Sequence, residues 1–171
     1  MTSALFYLAG NPQYVQPLRE EVEAIVEAEG WSKAALAGMH KVDSFLKESQ
    51  RVGGSDFGTP LFHVVRIILM TCSVSLMRKA MKDYTFADGT FIPKGTLVGV
   101  GVNGVHFDDK VYDNAREFEP FRFVNTEKTD GDAANHRFVT TGVDYLPFGH
   151  GKHAWYVTLF FSLWTLTACY S

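Results

Sequence analysis

The chain has 171 residues, is 46% hydrophobic and 20% charged, and carries a formal net charge of −3. It is long enough to bury a real core, and its mild acidity excludes the basic stripe of an electrostatic nucleic-acid binder. Its two cysteines, Cys72 and Cys169, have no paired or CxxC spacing, which excludes a disulfide framework and fits a reducing compartment.

In chain order, the first ten residues form a short apolar run with no basic lead. They read as the end of a helix belonging to something longer, not as a signal peptide. Asn11-Pro12 is expected to start a helix, with Asn11 as N-cap and Pro12 at the first position. Val15, Leu18, Val22, Ile25 and Val26 recur at helical spacing until Gly30. Ser32 opens a second helix that places Leu36, Met39, Val42, Phe45, Leu46 and Ser49 on one face and runs to Gly53-Gly54. From Lys82 the period changes. Tyr84, Phe86, an Asp88-Gly89 turn, Phe91 and Ile92 read as a hairpin, and Pro93-Lys94-Gly95 turns into a strand over Thr96–Val100. Residues 103–123 read as loop, and 125–144 as polar connection. The expected fold class is mainly α with a small β-hairpin and sheet region.

Two segments break this organisation. Residues 53–75 place a Gly-rich turn and an apolar stretch between helix and strand, and residues 155–171 are apolar, Thr-rich and uncharged. Both apolar stretches, 60–74 and 156–170, fall short of the roughly twenty residues that span a bilayer. A surface helix carries a polar face, and the tail has none.

Three motifs carry chemistry. Glu48 and Arg51 stand three apart on one helical face, within ion-pair reach. Arg122 follows a proline in Phe118-Glu-Pro-Phe-Arg-Phe123, where Phe121 and Phe123 are expected to fix it as the third member of a Glu–Arg–Arg network. Arginine suits such a buried fork because it is planar and always charged. The third motif is Tyr145-Leu-Pro-Phe-Gly-His-Gly-Lys-His-Ala-Trp155. Gly149 and Gly151 let this backbone approach a flat cofactor or take positive φ at low cost.

These motifs, in this order, resemble the C-terminal part of a cytochrome P-450, the haem-thiolate monooxygenases. The hairpin segment Asp83–Gly95 and the run His106–Phe118 are similar to that family's, and Met81-Lys-Asp-Tyr-Thr-Phe-Ala-Asp-Gly-Thr-Phe91 resembles its fungal members. The likeness covers about residues 5–52 and 76–154. It implies a partial P-450 fold over residues 1–154, with 53–75 an insertion or retained intron and 155–171 a tail foreign to the family. It also implies haem b as cofactor, a small apolar organic substrate, and electrons from an NADPH-dependent reductase. The parent family sits on the cytosolic face of the endoplasmic reticulum membrane, with an anchor not present in this chain.

By the same resemblance Glu48, Arg51 and Arg122 match the structural network, Phe148, Gly149 and Gly151 match the loop beneath the haem, and His153 matches the position that contacts a propionate. Trp155 occupies the position of the axial cysteine. An indole N–H donates only and has no lone pair for a metal, so the expectation is a chain with no catalytic residue of its own and no activity as written.

The codons bear on that substitution. Trp155-Tyr156-Val157 is encoded TGG-TAY-GTN, a TG followed by GTAYGT, which resembles a fungal intron donor. Splicing there to a T or C would write cysteine in place of Trp155. The alternative is a small metal- or ligand-binding module that uses His150 and His153, with His136 nearby in sequence. No cysteine or carboxylate stands at ligand spacing beside them.

Overall fold

The computed structural model describes residues 2–53, 74–124, 138 and 140–151. Its architecture is mostly helical, with two small antiparallel sheets, in agreement with the α+β expectation. In chain order there are α1 (Thr2–Gly10), a 3-10 turn (Pro12–Tyr14), α2 (Val15–Glu29), α3 (Lys33–Gly38) and α4 (His40–Gly53). Then come β1 (Val74–Lys79), β2 (Tyr84–Thr85), β3 (Phe91–Ile92), β4 (Leu97–Gly101) and α5 (Val102–His106). The remaining described residues form turns.

Asn11 differs from its expected part. Its side chain caps no following helix; Nδ2 donates to the Tyr7 carbonyl at 2.9 Å, closing the end of α1 instead. Pro12 then opens a 3-10 turn, and Tyr14 N–H bonds back to Asn11 O. Helix α2 ends where the glycine permits: Gly30 takes φ +66 and donates to the Val26 carbonyl.

Ser32 caps the next helix, its Oγ accepting from Ala35 N–H at 3.0 Å. The single helix expected from Ser32 to Gly53 is two, broken at Met39 (φ −81, ψ 69). The cause lies outside the segment. The Glu21 carboxylate of α2 accepts from the free N–H groups of Lys41 and Val42 at 2.9–3.0 Å, so it caps α4 afresh. Met39 at the break is buried.

Helix α4 is the centre of the molecule. Ser44, Phe45, Leu46, Lys47, Glu48, Ser49, Arg51 and Gly53 are all buried. Ala4, Phe45, Leu46 and Phe138 form the core, with Tyr7, Leu8, Leu18, Val42, Phe118 and Phe148 packed around it. Gly53 is the last residue of α4. A Cβ there would lie 2.8 Å from Ser3 Cβ, so α1 and α4 pack in contact only because Gly53 has none.

Strand β1 pairs antiparallel with β4, Arg78 opposite Val98 and Lys79 opposite Leu97. The hairpin β2–β3 pairs Tyr84 with Ile92 and Thr85 with Phe91. Its turn is held by Gly89 at φ +89 and by Asp88, whose carboxylate accepts from Thr90 N–H and is thereby kept below the usual carboxylate range. Pro93–Gly95 turns into β4, with Gly95 at φ +92. The segment read as loop from residue 103 begins as α5, which delivers a fully buried His106.

Candidate functional site

The site is built on one carboxylate. Glu48, with no exposed surface, accepts from Arg51 Nε at 2.8 Å on Oε2 and from Arg51 Nη2 at 2.7 Å on Oε1. This is the bidentate fork that favours arginine over lysine. Oε1 also accepts from Arg122 Nε at 3.1 Å and from the Glu119 amide at 3.1 Å. The structure therefore brings Glu48, Arg51 and Arg122 together.

The arginines do more than neutralise that carboxylate. Arg51 uses all five of its N–H donors: two go to Glu48, and three to the carbonyls of His106, Ala115 and Glu117. Arg122 donates to the carbonyls of Asp113, Asn114 and Glu117. In the irregular stretch from His106 to Glu117 the bonds from Arg51 to the His106 and Ala115 carbonyls are buried, and buried carbonyls need partners. Arg51 supplies them, Arg122 adds bonds to more exposed carbonyls, and Ser44 ties down the far end by donating to Pro120 O and accepting from Phe123 N–H.

Phe121 and Phe123 do not hold Arg122 as expected. Phe121 meets Tyr14 edge-on at 5.9 Å, and Phe123 meets Tyr112 and Tyr145. The Arg122 guanidinium is fixed by carbonyls and by Glu48, because its planar fork matches those acceptors. Arg51 in turn lies over the Tyr112 ring, 4.9 Å from its centroid. Burial pushes the Tyr112 hydroxyl up to about 12, so it stays protonated and donates to Asp144 O at 2.8 Å.

The Gly-rich loop leaves this network at Tyr145. Its hydroxyl, pushed well above its ordinary value by burial, lies 3.3 Å from the Lys47 carbonyl. Phe148 packs edge-on against Phe138 and so reaches the core. Gly149 and Gly151 both take φ +79, a conformation that strains any residue with a Cβ. Gly149 is buried, while His150 and Gly151 are exposed. Among the described residues, a Cβ on Gly151 would meet nothing within 4 Å. His153 and Trp155 lie outside the described residues, as do His136, Cys72 and Cys169.

Two further side chains are central to this geometry. Lys47 is buried with its Nζ 4.5 Å above Phe123 and 5.0 Å above Tyr145. His106 lies between α4 and the loop, with Nδ1 3.2 Å from Arg51 O and Nε2 3.1 Å from Leu146 N. His106 opens the run 106–118 that resembles the family's, but nothing in those letters marks its backbone partners at Arg51 and Leu146.

The Cytochrome P450 family model matches residues 1–154. The chain belongs to the cytochrome P450 family. It is 43% identical over 153 residues to Cytochrome P450 monooxygenase 151 of Postia placenta, covering 90% of this chain and 28% of that protein. Monooxygenase 103 of the same fungus is 42% identical over 154 residues, 90% of this chain and 28% of the relative. Cytochrome P450 monooxygenase paxQ of Penicillium paxilli is 40% identical over 154 residues, 90% of this chain and 27% of the relative. The P450 chain thus spans little more than a quarter of the length of these relatives.

The family implies haem iron, and the described residues fit it in part. Among the described residues nothing fills the space beside Gly151, so a flat macrocycle could lie against that side of the loop. Trp155, one residue past the family match, has no lone pair to give a metal. Among the described residues no three His, Cys, Asp or Glu stand close enough to hold a metal ion, and no helix is long and apolar enough to cross a membrane.

Proposed function

We propose that this chain is the portion of a haem-dependent monooxygenase that supports the cofactor from one side, and that with Trp155 it does not perform the reaction. Residues 1–154 are the family portion, interrupted by a foreign segment within 53–75, and 155–171 lie outside it. In the parent enzyme, haem activates dioxygen to oxidise a small apolar organic substrate, with electrons from an NADPH-dependent reductase at the cytosolic face of the endoplasmic reticulum membrane.

The observation that carries this reading is Glu48, a buried carboxylate that gathers Arg51 and Arg122 and through them the carbonyls of residues 106–117. Such a framework gives a rigid base for the loop at Phe148, Gly149 and Gly151. Those three residues would lie against the haem, and His153 would reach a propionate. The family match ends at residue 154, one position before Trp155, which supports reading Trp155 as the point of departure from the family. No step of the reaction is assigned to this chain's residues, because the axial donor does not fit.

The test is spectroscopic. Purified chain incubated with haem and reduced under carbon monoxide should show no thiolate-type Soret band, while Trp155→Cys should gain one. A thiolate-type band in the unaltered chain would overturn the reading and implicate Cys72 or Cys169. A band in neither protein would remove haem from this loop.

A further inference from the structure

We propose that His106 is a positioning residue whose neutral imidazole latches the 142–151 loop to α4, and that a proton on that ring releases the latch. The assignment follows from its two partners. The Arg51 carbonyl only accepts, so Nδ1, 3.2 Å away, carries the hydrogen. The Leu146 amide only donates, so Nε2, 3.1 Å away, keeps its lone pair. The partners thus fix the Nδ1–H tautomer.

Burial and two further contacts show how closely the residue is held. The ring has no exposed surface. It stacks on Tyr145, the residue before Leu146, with centroids 5.8 Å apart and planes 19° from parallel. The His106 carbonyl accepts from Arg51 Nη1, so His106 and Arg51 bind each other's backbone. One side chain therefore spans the ion-pair helix and the loop that departs from Tyr145.

A second proton has one place to go, Nε2, where it would face the Leu146 N–H. Two donors cannot share that bond, so the protonated ring must surrender the loop. The charged and titratable groups around the ring are Arg51 and Glu48 of α4 and Tyr145 of the loop. The bond to the Arg51 carbonyl favours a proton and the Arg51 guanidinium opposes one; Glu48 favours one but is already engaged by two guanidinium groups; Tyr145 is held protonated by burial. Burial is the largest influence and pushes His106 down to about 4.

The sign follows. Between the ordinary histidine value of about 6.5 and about 4, the open state binds the proton and the latched state does not. The latch is at full strength above that window and weakens as pH falls through it. The inference goes beyond the haem reading and is measured without haem, so the two fail independently.

The experiment is long-range proton–nitrogen NMR of His106 in the full chain, with hydrogen exchange at the Leu146 amide, from neutral pH down through the window. The expected result is the Nδ1–H tautomer at neutral pH, titration near 4, and Leu146 exchange that accelerates about tenfold or more across the window beyond the intrinsic pH effect. His106→Asn can place its amide near the Nδ1 position but is too short to reach the Leu146 amide, and it does not titrate, so it should lower Leu146 protection and abolish the acid step. His106→Leu should lose Leu146 protection at every pH. An Nε2–H tautomer, titration near 6.5, or an Asn variant with the same acid step would overturn the proposal. If the Leu variant does not fold, the tautomer and titration of the unaltered chain decide.

Discussion

Glu48 and Arg51 are as much a device for ordering backbone as an ion pair. Surface pairs at this spacing contribute a few tenths of a kcal/mol. Here both side chains are fully buried, and five guanidinium N–H groups meet five acceptors. Glu48→Gln removes the charge that compensates two arginines, and loss of one member of a buried pair costs about 3–5 kcal/mol. Arg51→Lys leaves three donors for five acceptors, and each stranded buried carbonyl costs about 1–3 kcal/mol. Both variants should therefore lose hydrogen-exchange protection in α4 and at the Tyr112, Glu117 and Glu119 amides. Protection unchanged in Arg51→Lys would show that the carbonyl contacts contribute little. Much of this site was legible beforehand, because a helix puts residues three apart on one face and the Phe-Glu-Pro-Phe-Arg-Phe motif singles out Arg122. The carbonyl partners were not, since a backbone acceptor leaves no mark in the letters of its residue; His106 opens a family-like run, but its bonds to the backbone of Arg51 and Leu146 are not written there.

At the scale of elements, α4 depends on neighbours distant in sequence. Its N-terminus is capped by Glu21 of α2 and its last residue lies against Ser3 of α1. This explains why one helix was expected where two exist: hydrophobic spacing continues through Met39, and the break comes from a cap twenty residues away. The hairpin and its following turn were easier to read, because Asp88-Gly89 and Pro93-Lys94-Gly95 are local signals for positive φ and tight reversal. Strand β1 had no such punctuation, and only pairing with β4 delimits it. Gly53→Ala tests the α1–α4 contact. Helix propensity would favour alanine by up to about 1 kcal/mol, but overpacking costs about 1–3 kcal/mol, so the variant should be less stable. Adding Ser3→Gly, which removes the opposing Cβ, should recover most of the loss. A neutral single variant would mean that α1 does not sit where described.

Across the whole molecule, order is uneven. Helix α4 and its loops share buried polar bonds and aromatic contacts, whereas Met77, Met81, Tyr84, Phe86, Phe91 and Leu97 of the strand region are exposed. Sheets of two strands are marginal in water unless a hydrophobic face is covered. The chain alone should therefore unfold over a broad range, the strands losing exchange protection before α4, and it should bind a dye for exposed apolar surface. A single sharp transition with coincident probes would contradict this.

The same scale bears on Trp155, where the family match stops and the codons for Trp155-Tyr156-Val157 contain the donor-like GTAYGT. We propose, as the central claim, that this P450 chain carries tryptophan in place of an axial cysteine at position 155 because an intron is retained. The most direct measurement is the sequence of mature transcripts across the codons for residues 53–75 and 155. The account predicts spliced messages that lack the interruption and encode cysteine in place of Trp155. Mature messages that consistently keep both TGG at position 155 and the interruption would contradict it.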